Sequence, residues 1–276
     1  MLMKIYISAY LVLLSYISIA QKLTTTNLDN FSYKIQGVNT KTKQLNNAGT
    51  AFIISYKGSD FLVSNYHVFT GKDAITQNKI DELKDTCTAI ILWFRSDTGS
   101  SFKKLLFQLF DTTGTKLFSI YHGNETSLLD IAILPIYKED YPPNIRKYII
   151  SQTDIDTTTK YSNNKPVYVV GFPLGKMGQG WKPKTIKAKS VIEKVEPPFI
   201  SPNISFDNGT FPGMSGSPVY IASKSGKIAL SGVNYQNPDF MKDNPSIKGA
   251  GIQIKFVIDI IEEMIRQNKS NIDFYR

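Results

Sequence analysis

Twelve residues, GTFPGMSGSPVY at 209–220, hold three glycines, two prolines and two serines before the chain turns into a strand-like Pro-Val-Tyr. Gly and Pro at this density mean a backbone held in unusual conformations, and the side chain such a backbone would present is that of Ser215. A neutral hydroxyl is a poor nucleophile and needs a base, usually His, which a third group holds in place. The chain has two histidines. His122 lies in the turn-like YHGNE and reads as a surface residue, whereas His67 ends the apolar stretch LVSNYHVF. The third group should be a carboxylate with little water around it. Asp130, in LLDIAILPI, is surrounded by Leu128, Leu129, Ile131, Ala132 and Ile133. An unpaired charge there would cost several kcal/mol, so it needs a partner or must be neutral. Each of the three residues alone has an ordinary structural explanation. Together, in the order His67, Asp130, Ser215, they point to nucleophilic catalysis.

Elements must position these groups, and past residue 30 the chain reads as strands. FSYKIQGV, GTAFIISY, DFLVSNYHVF, TAIILWF, KLLFQLFD, KLFSIY and LLDIAILPI are short β-branched or aromatic runs. Turn formers such as YKGS, SDTGSS and TTGT separate many of them. A polar, Pro-containing stretch with room for one short helix follows, and is read as a linker over 141–164. Strand signals resume in PVYVVGFPL, KTIKAKSVIEKV, FISPNISFD, GSPVYIA, KIALSGVNY and GAGIQI. In KFVIDIIEEMIRQN the apolar positions 256, 257, 260, 261, 264 and 265 recur with helical period, so an amphipathic helix over 256–276 closes the chain. The expected architecture is all-β: an arm over 21–45, then two six-stranded antiparallel β-barrels at 46–140 and 165–255, then the C-terminal helix. GKMGQG at 175–180 lacks the Gly-Lys-Ser/Thr of a phosphate loop and reads as a plain loop.

The first twenty residues do a separate job. MLMK is a short positive start, IYISAYLVLLSYISIA is apolar, and Ser18 and Ala20 sit at the small-residue positions before a cut. This is the pattern of a secretory signal peptide over 1–20, removed before Gln21. The apolar run is short for a stable span, which needs about 20 residues, so no membrane insertion is expected after cleavage, and the mature protein should be secreted or periplasmic. An exported chain can form disulfides, but Cys87 is the single cysteine, so the core must hold the fold. Cys87, in DTCTAIILWF, reads as a small packed hydrophobe. One Cys and two His argue against a zinc site, and no cofactor is expected. The net charge of +9 is mostly lysine without an Arg-rich or aromatic-interleaved patch, which reads as a solvated surface and not as a nucleic-acid site.

GTAFIISYKGSDFLVSNYHVF, SLLDIAILPI and FDNGTFPGMSGSPVY resemble the three blocks of trypsin-like serine peptidases, above all the bacterial, disulfide-free Deg-type proteases and glutamyl endopeptidases. VYVVGFPLG and LSGVNY…GAGIQI extend the likeness over nearly all of the chain beyond about residue 45. The residue order separates it from subtilisin-like enzymes and α/β-hydrolases, and position 217 is not the Gly of the hydrolase elbow. The resemblance implies that Ser215 attacks a peptide carbonyl, that His67 is the general base and then acid, and that Asp130 orients His67. It also implies that the N–H groups of Gly213 and Ser215 bind the oxyanion, and that Asp207 is structural. Substrate would lie against Gly209 and Thr210 on one side and Asn234, Tyr235 and Gln236 on the other. With no carboxylate at that pocket base, a Lys or Arg preference is not implied. Thr210 matches glutamyl endopeptidases, but Asn234 stands where they carry a His. Met214 replaces the Asp that receives a new N-terminus in activated zymogens, so activation by that ion pair is not implied. The partner would be a protein or peptide substrate. The alternative is a catalytically inactive relative that binds peptides or proteins in the cleft.

Overall fold

The computed structural model describes residues 22–95, 101–122, 128–157, 163–173, 183–191, 203–222, 226–235 and 245–268. The apolar runs of the first half form β1 (Tyr33–Val38), β2 (Leu45–Tyr56), β3 (Ser59–Ser64), β4 (Ala89–Arg95), β5 (Phe102–Gln108), β6 (Ser119–His122) and β7 (Leu128–Ile136). They pair in the order β5-β4-β1-β2-β3-β7-β6. The two ends of that path are neighbours in sequence. The Leu117 N–H donates to the Leu109 carbonyl at 2.9 Å, and Phe110 bridges Lys116, so a hairpin carries the sheet round on itself. In the second half β9 (Pro166–Gly171), β10 (Lys184–Val191), β11 (Asn203–Phe206), β12 (Pro218–Ala222), β13 (Ile228–Tyr235) and β14 (Gly249–Gln253) close a barrel in the order β10-β11-β14-β13-β12-β9.

The expected six strands describe this second barrel. The first half has eight, because the chain read as a linker returns to lay β8 (Ile150–Ser151) parallel to β2. β1 lies within the expected arm, yet it pairs with both β2 and β4 and is an inner strand of the first sheet. Among the described residues three α-helices complete the fold: α1 (Tyr66–Thr70), α2 (Pro143–Arg146) and α3 (Ile254–Asn268), which begins two residues ahead of the expected bound.

Each half has its own core, around Ile35, Phe69 and Leu92 in the first and Val169, Phe206 and Val219 in the second. A third cluster joins them. Phe52, Ile54, Ile131 and Ile133 of the first half meet Tyr220, Val233 and Ile252 of the second, and Val257, Ile261 and Met264 of α3 pack into the same cluster. A fully buried aliphatic side chain stabilises a fold by about 1.5–3 kcal/mol, so this shared layer holds the halves together. At the surface, Glu262 of α3 accepts from Tyr56 Oη and Lys57 Nζ, each at 2.8 Å, tying the helix to the β2–β3 turn. No described helix is long and apolar enough to cross a membrane. The proposed signal peptide lies outside the described residues.

Candidate active site

His67 does not extend β3, as its apolar neighbours suggest. The strand stops at Ser64, Asn65 is extended, and Tyr66–Thr70 make a single helical turn. Gly71 ends it at φ 74°, a conformation natural to glycine, with its N–H donating to the His67 carbonyl at 2.8 Å. This turn sets His67 over β7. Nδ1 of its ring lies 2.6 Å from Oδ2 of Asp130, and its backbone N–H donates to Oδ1 at 3.0 Å. The Asn65 amide donates to the Asp130 carbonyl. Both carboxylate oxygens therefore serve one residue. An acceptor at this distance puts the proton on Nδ1 and leaves Nε2 as the base. Burial acts to lower the imidazole pKa, but the charge and hydrogen bond of Asp130, with the charge of Asp73 behind them, outweigh it and raise the pKa above its ordinary 6.5.

Ser215 is presented by the conformation of its backbone. The Met214 N–H donates to the Phe211 carbonyl at 3.0 Å, and the Ser217 N–H to the Met214 carbonyl at 3.1 Å. Gly213 and Gly216 hold the third positions of these two turns at φ 90° and 82°. Two successive type II turns result, with Pro212 pre-set at the second position of the first and Ser215 at the second position of the next. The glycine spacing of GTFPGMSGS is thus a double turn. Within it, the N–H groups of Met214, Gly216 and Ser217 go to carbonyls, while those of Gly213 and Ser215 have no acceptor among the described residues.

The halves meet at this loop through a residue that no motif marks. The Thr50 N–H donates to the Ser215 carbonyl at 2.8 Å, and its Oγ1 donates to the Gly213 carbonyl at 3.0 Å while accepting from the Phe172 N–H at 3.0 Å. Ser64 Oγ donates to the Thr50 carbonyl at 2.6 Å. Beside Thr50 the wall between α1 and the Ser215 loop is one glycine thick. A Cβ on Gly49 would stand 2.7 Å from the Val68 methyls and 3.1 Å from the Ser215 carbonyl. His67 and Ser215 thus flank a common partition, and no hydrogen bond between Nε2 and Oγ is found among the described residues.

Gly209 and Tyr235 stand on either side of β14. A Cβ on Gly209 would lie 3.4 Å from the Lys248 carbonyl, and Tyr235 pairs with Ala250. Thr210 follows, partly exposed. Asn234 is 1% exposed, and its amide donates to the Met214 carbonyl at 2.8 Å, so its side chain props the loop from beneath. Gln236 lies outside the described residues. Met214 is fully buried in the second core. Asp207 joins β10 through a bond from the Lys189 N–H to its carboxylate at 2.7 Å.

A family model described as a trypsin-like peptidase domain matches residues 49–228. Among solved structures the chain is similar to Deg5, at 16% identity over 85% of this chain and 90% of that one, with a TM-score of 0.50. It is also similar to the scabies mite inactivated protease paralogue S-I1, at 13% identity over 90% and 99%, with a TM-score of 0.53. The Rv3671c protease from M. tuberculosis in its active form gives 15% identity over 89% and 86%, with a TM-score of 0.47. At these identities the likeness is one of fold. A search of curated proteins returns no match to this chain.

Proposed function

This chain belongs to the trypsin-like peptidase family, and from that premise we propose that it is an exported serine endopeptidase working through His67, Asp130 and Ser215. Nε2 of His67 takes the hydroxyl proton as Ser215 Oγ attacks the peptide carbonyl. The new oxyanion is received by the Gly213 and Ser215 N–H groups. The intermediate collapses to an acyl-enzyme when His67 passes the proton to the leaving amine. A water molecule, deprotonated by His67, then attacks the ester and frees the second product and Ser215. The Asp130 carboxylate orients the ring and balances the imidazolium.

The observation that carries this reading is the pair of unengaged N–H groups. Of the five N–H groups from Gly213 to Ser217, the two type II turns leave those of Gly213 and Ser215 without an acceptor among the described residues. Losing one oxyanion donor typically costs about 3–4 kcal/mol of barrier. The His67–Asp130 pair supports the same reading, with its ring oriented from two sides. Export rests on the apolar run and the small residues ahead of Gln21. N-terminal analysis of natively expressed protein should find Gln21 first, and a soluble protein retaining Met1 overturns export.

A second reading is an inactive module that binds peptides in the cleft. The missing bond between His67 and Ser215 favours it, although such bonds often tighten only when substrate arrives. A fluorophosphonate probe separates the two at pH 8. The peptidase labels at Ser215, loses labelling in Ser215→Ala, and loses most of it in His67→Ala. Folded mature protein that stays unlabelled overturns the peptidase.

A further inference from the structure

The rim of the proposed site carries a cation that the triad does not use. Lys184 opens β10, where it lies opposite Gly171 of β9. Gly171 in turn abuts the Thr50 junction, since a Cβ on it would run into Ser217 Oγ and stand 2.8 Å from Thr50 Oγ1. Paired strands run about 5 Å apart, so Lys184 stands one strand away from the residues that strap the Ser215 loop. The loop itself makes a second contact. Phe211 is the first residue of the type II turn that ends in Met214, and Lys184 Nζ lies over its ring, 4.6 Å from the centroid. Only one residue separates Phe211 from Gly213, so their Cα atoms are at most about 7.6 Å apart.

Both side chains meet water: Phe211 is 41% exposed, and Lys184 is exposed as well. Met214 fills the core beneath the loop, and the Phe211 ring lies outside it. There the ring serves the lysine, because an aromatic face holds a cation in place without neutralising it. Among the described residues no carboxylate lies within ion-pair distance of Lys184. The acids bonded to β10 are engaged elsewhere on it: Asp29 accepts from Thr185 Oγ1, and Asp207 from the Lys189 N–H. A positive charge held beside the Gly213 N–H and left unpaired by the protein calls for a negative group on the ligand. An extended peptide advances about 3.3–3.6 Å per residue. With one carbonyl at the Gly213 and Ser215 N–H groups, a side chain one or two residues away therefore comes level with Phe211 and Lys184.

We infer that Lys184, steadied by the Phe211 ring, is a specificity residue that receives a carboxylate side chain of the substrate, one or two residues from the residue whose carbonyl is attacked. This rests on the peptidase reading for its use, but not for its test. Two fluorescein-labelled octapeptide pools are bound to the full mature chain carrying Ser215→Ala, and anisotropy reads their affinity without turnover. Every second residue is Glu in one pool and Gln in the other, the rest being random, so a Glu falls one or two residues from any carbonyl whatever the register. The Glu pool should bind more tightly, and Lys184→Gln should cut that preference by about three- to fivefold, the worth of an exposed ion pair. Lys184→Arg should keep it, and Phe211→Ala should give a smaller loss. Lys187→Gln, which removes the same charge from the other face of the strand, should leave the preference unchanged. Equal affinity for the two pools, no binding of either, or a preference that Lys184→Gln and Lys187→Gln reduce alike overturns the carboxylate site. Fluorophosphonate labelling of the Ser215 protein is read separately, since that probe carries no carboxylate. Labelling without a Glu preference overturns this site alone, and a Lys184-dependent preference without labelling overturns the peptidase alone.

Discussion

The first half and the second hold the residues of the proposed triad by different means. In the first, side chains hold side chains: Asp130 grips His67 from two directions, and Asn65 steadies Asp130. In the second, the bonds fall on the main chain: two glycine turns, the Thr50 strap and the Asn234 amide aim Ser215, whose own side chain makes no bond among the described residues. A group that must change its protonation state needs neighbours that respond to charge. A group that must only be aimed is better fixed by backbone geometry, which does not titrate. Changes in the first half should therefore alter the pH dependence, and changes in the second should alter the fold around Ser215 while leaving pH dependence alone.

The largest effect tests the first half. Asp130→Asn keeps the shape but removes the charge and favours the wrong tautomer of His67, so kcat/KM should fall by about 10⁴. Circular dichroism should show the fold intact. Without that charge, burial dominates, and NMR titration should find the His67 pKa dropping from above 6.5 in the parent towards or below it. A variant with a parental pH profile would break the comparison.

Next comes Gly216→Ala in the second half. A Cβ there would run into Ser64 Oγ and the Thr50 carbonyl, and the residue would be held at φ 82°. Destabilisation of about 3 kcal/mol or more is expected from clash and strain together, read as a fall in the denaturation midpoint. Probe labelling should be lost, with no change in the His67 titration.

Thr50→Val sharpens the comparison at the junction. It leaves the Gly213 carbonyl and the Phe172 N–H without their partner, which costs about 1–3 kcal/mol per buried group. Labelling should slow while the His67 pKa stays where it was, and Thr50→Ser should recover most of the loss.

A smaller effect is thermodynamic. The folded-state pKa of His67 is raised above its unfolded 6.5, so the stability it contributes is fully present below pH 6.5 and is lost as pH rises through the folded value. Melting temperatures of Ser215→Ala should carry this loss, and Asp130→Asn in the same background should abolish it. Smallest of all, Cys87 is buried, which pushes its thiol up to about 11 despite a hydrogen bond from Asn46. Thiol reagents should leave it untouched at pH 8 until the protein unfolds.

What was legible in the sequence follows the same division. The double turn could be read because its geometry is local: Pro212, Gly213 and Gly216 each mark a backbone conformation by residue type. The strands could be read from their β-branched and aromatic runs. α1 could not, because five residues are too few to display a helical period, and Tyr-His-Val-Phe has the composition of a strand. Thr50 carried no signal, since its partners at Phe172, Gly213 and Ser215 are more than 100 residues away in sequence. β8 was hidden for a similar reason: two residues pair in parallel with a strand that ended well before them.

α3 follows the second barrel in the chain, yet it does not serve only that half. Val257, Ile261 and Met264 pack in the same cluster as Ile131 and Ile133, which follow Asp130 along β7. Residues 254–268 come after His67, Asp130 and Ser215 in the chain, so the strand that carries Asp130 is walled in full only once residues beyond all three are in place.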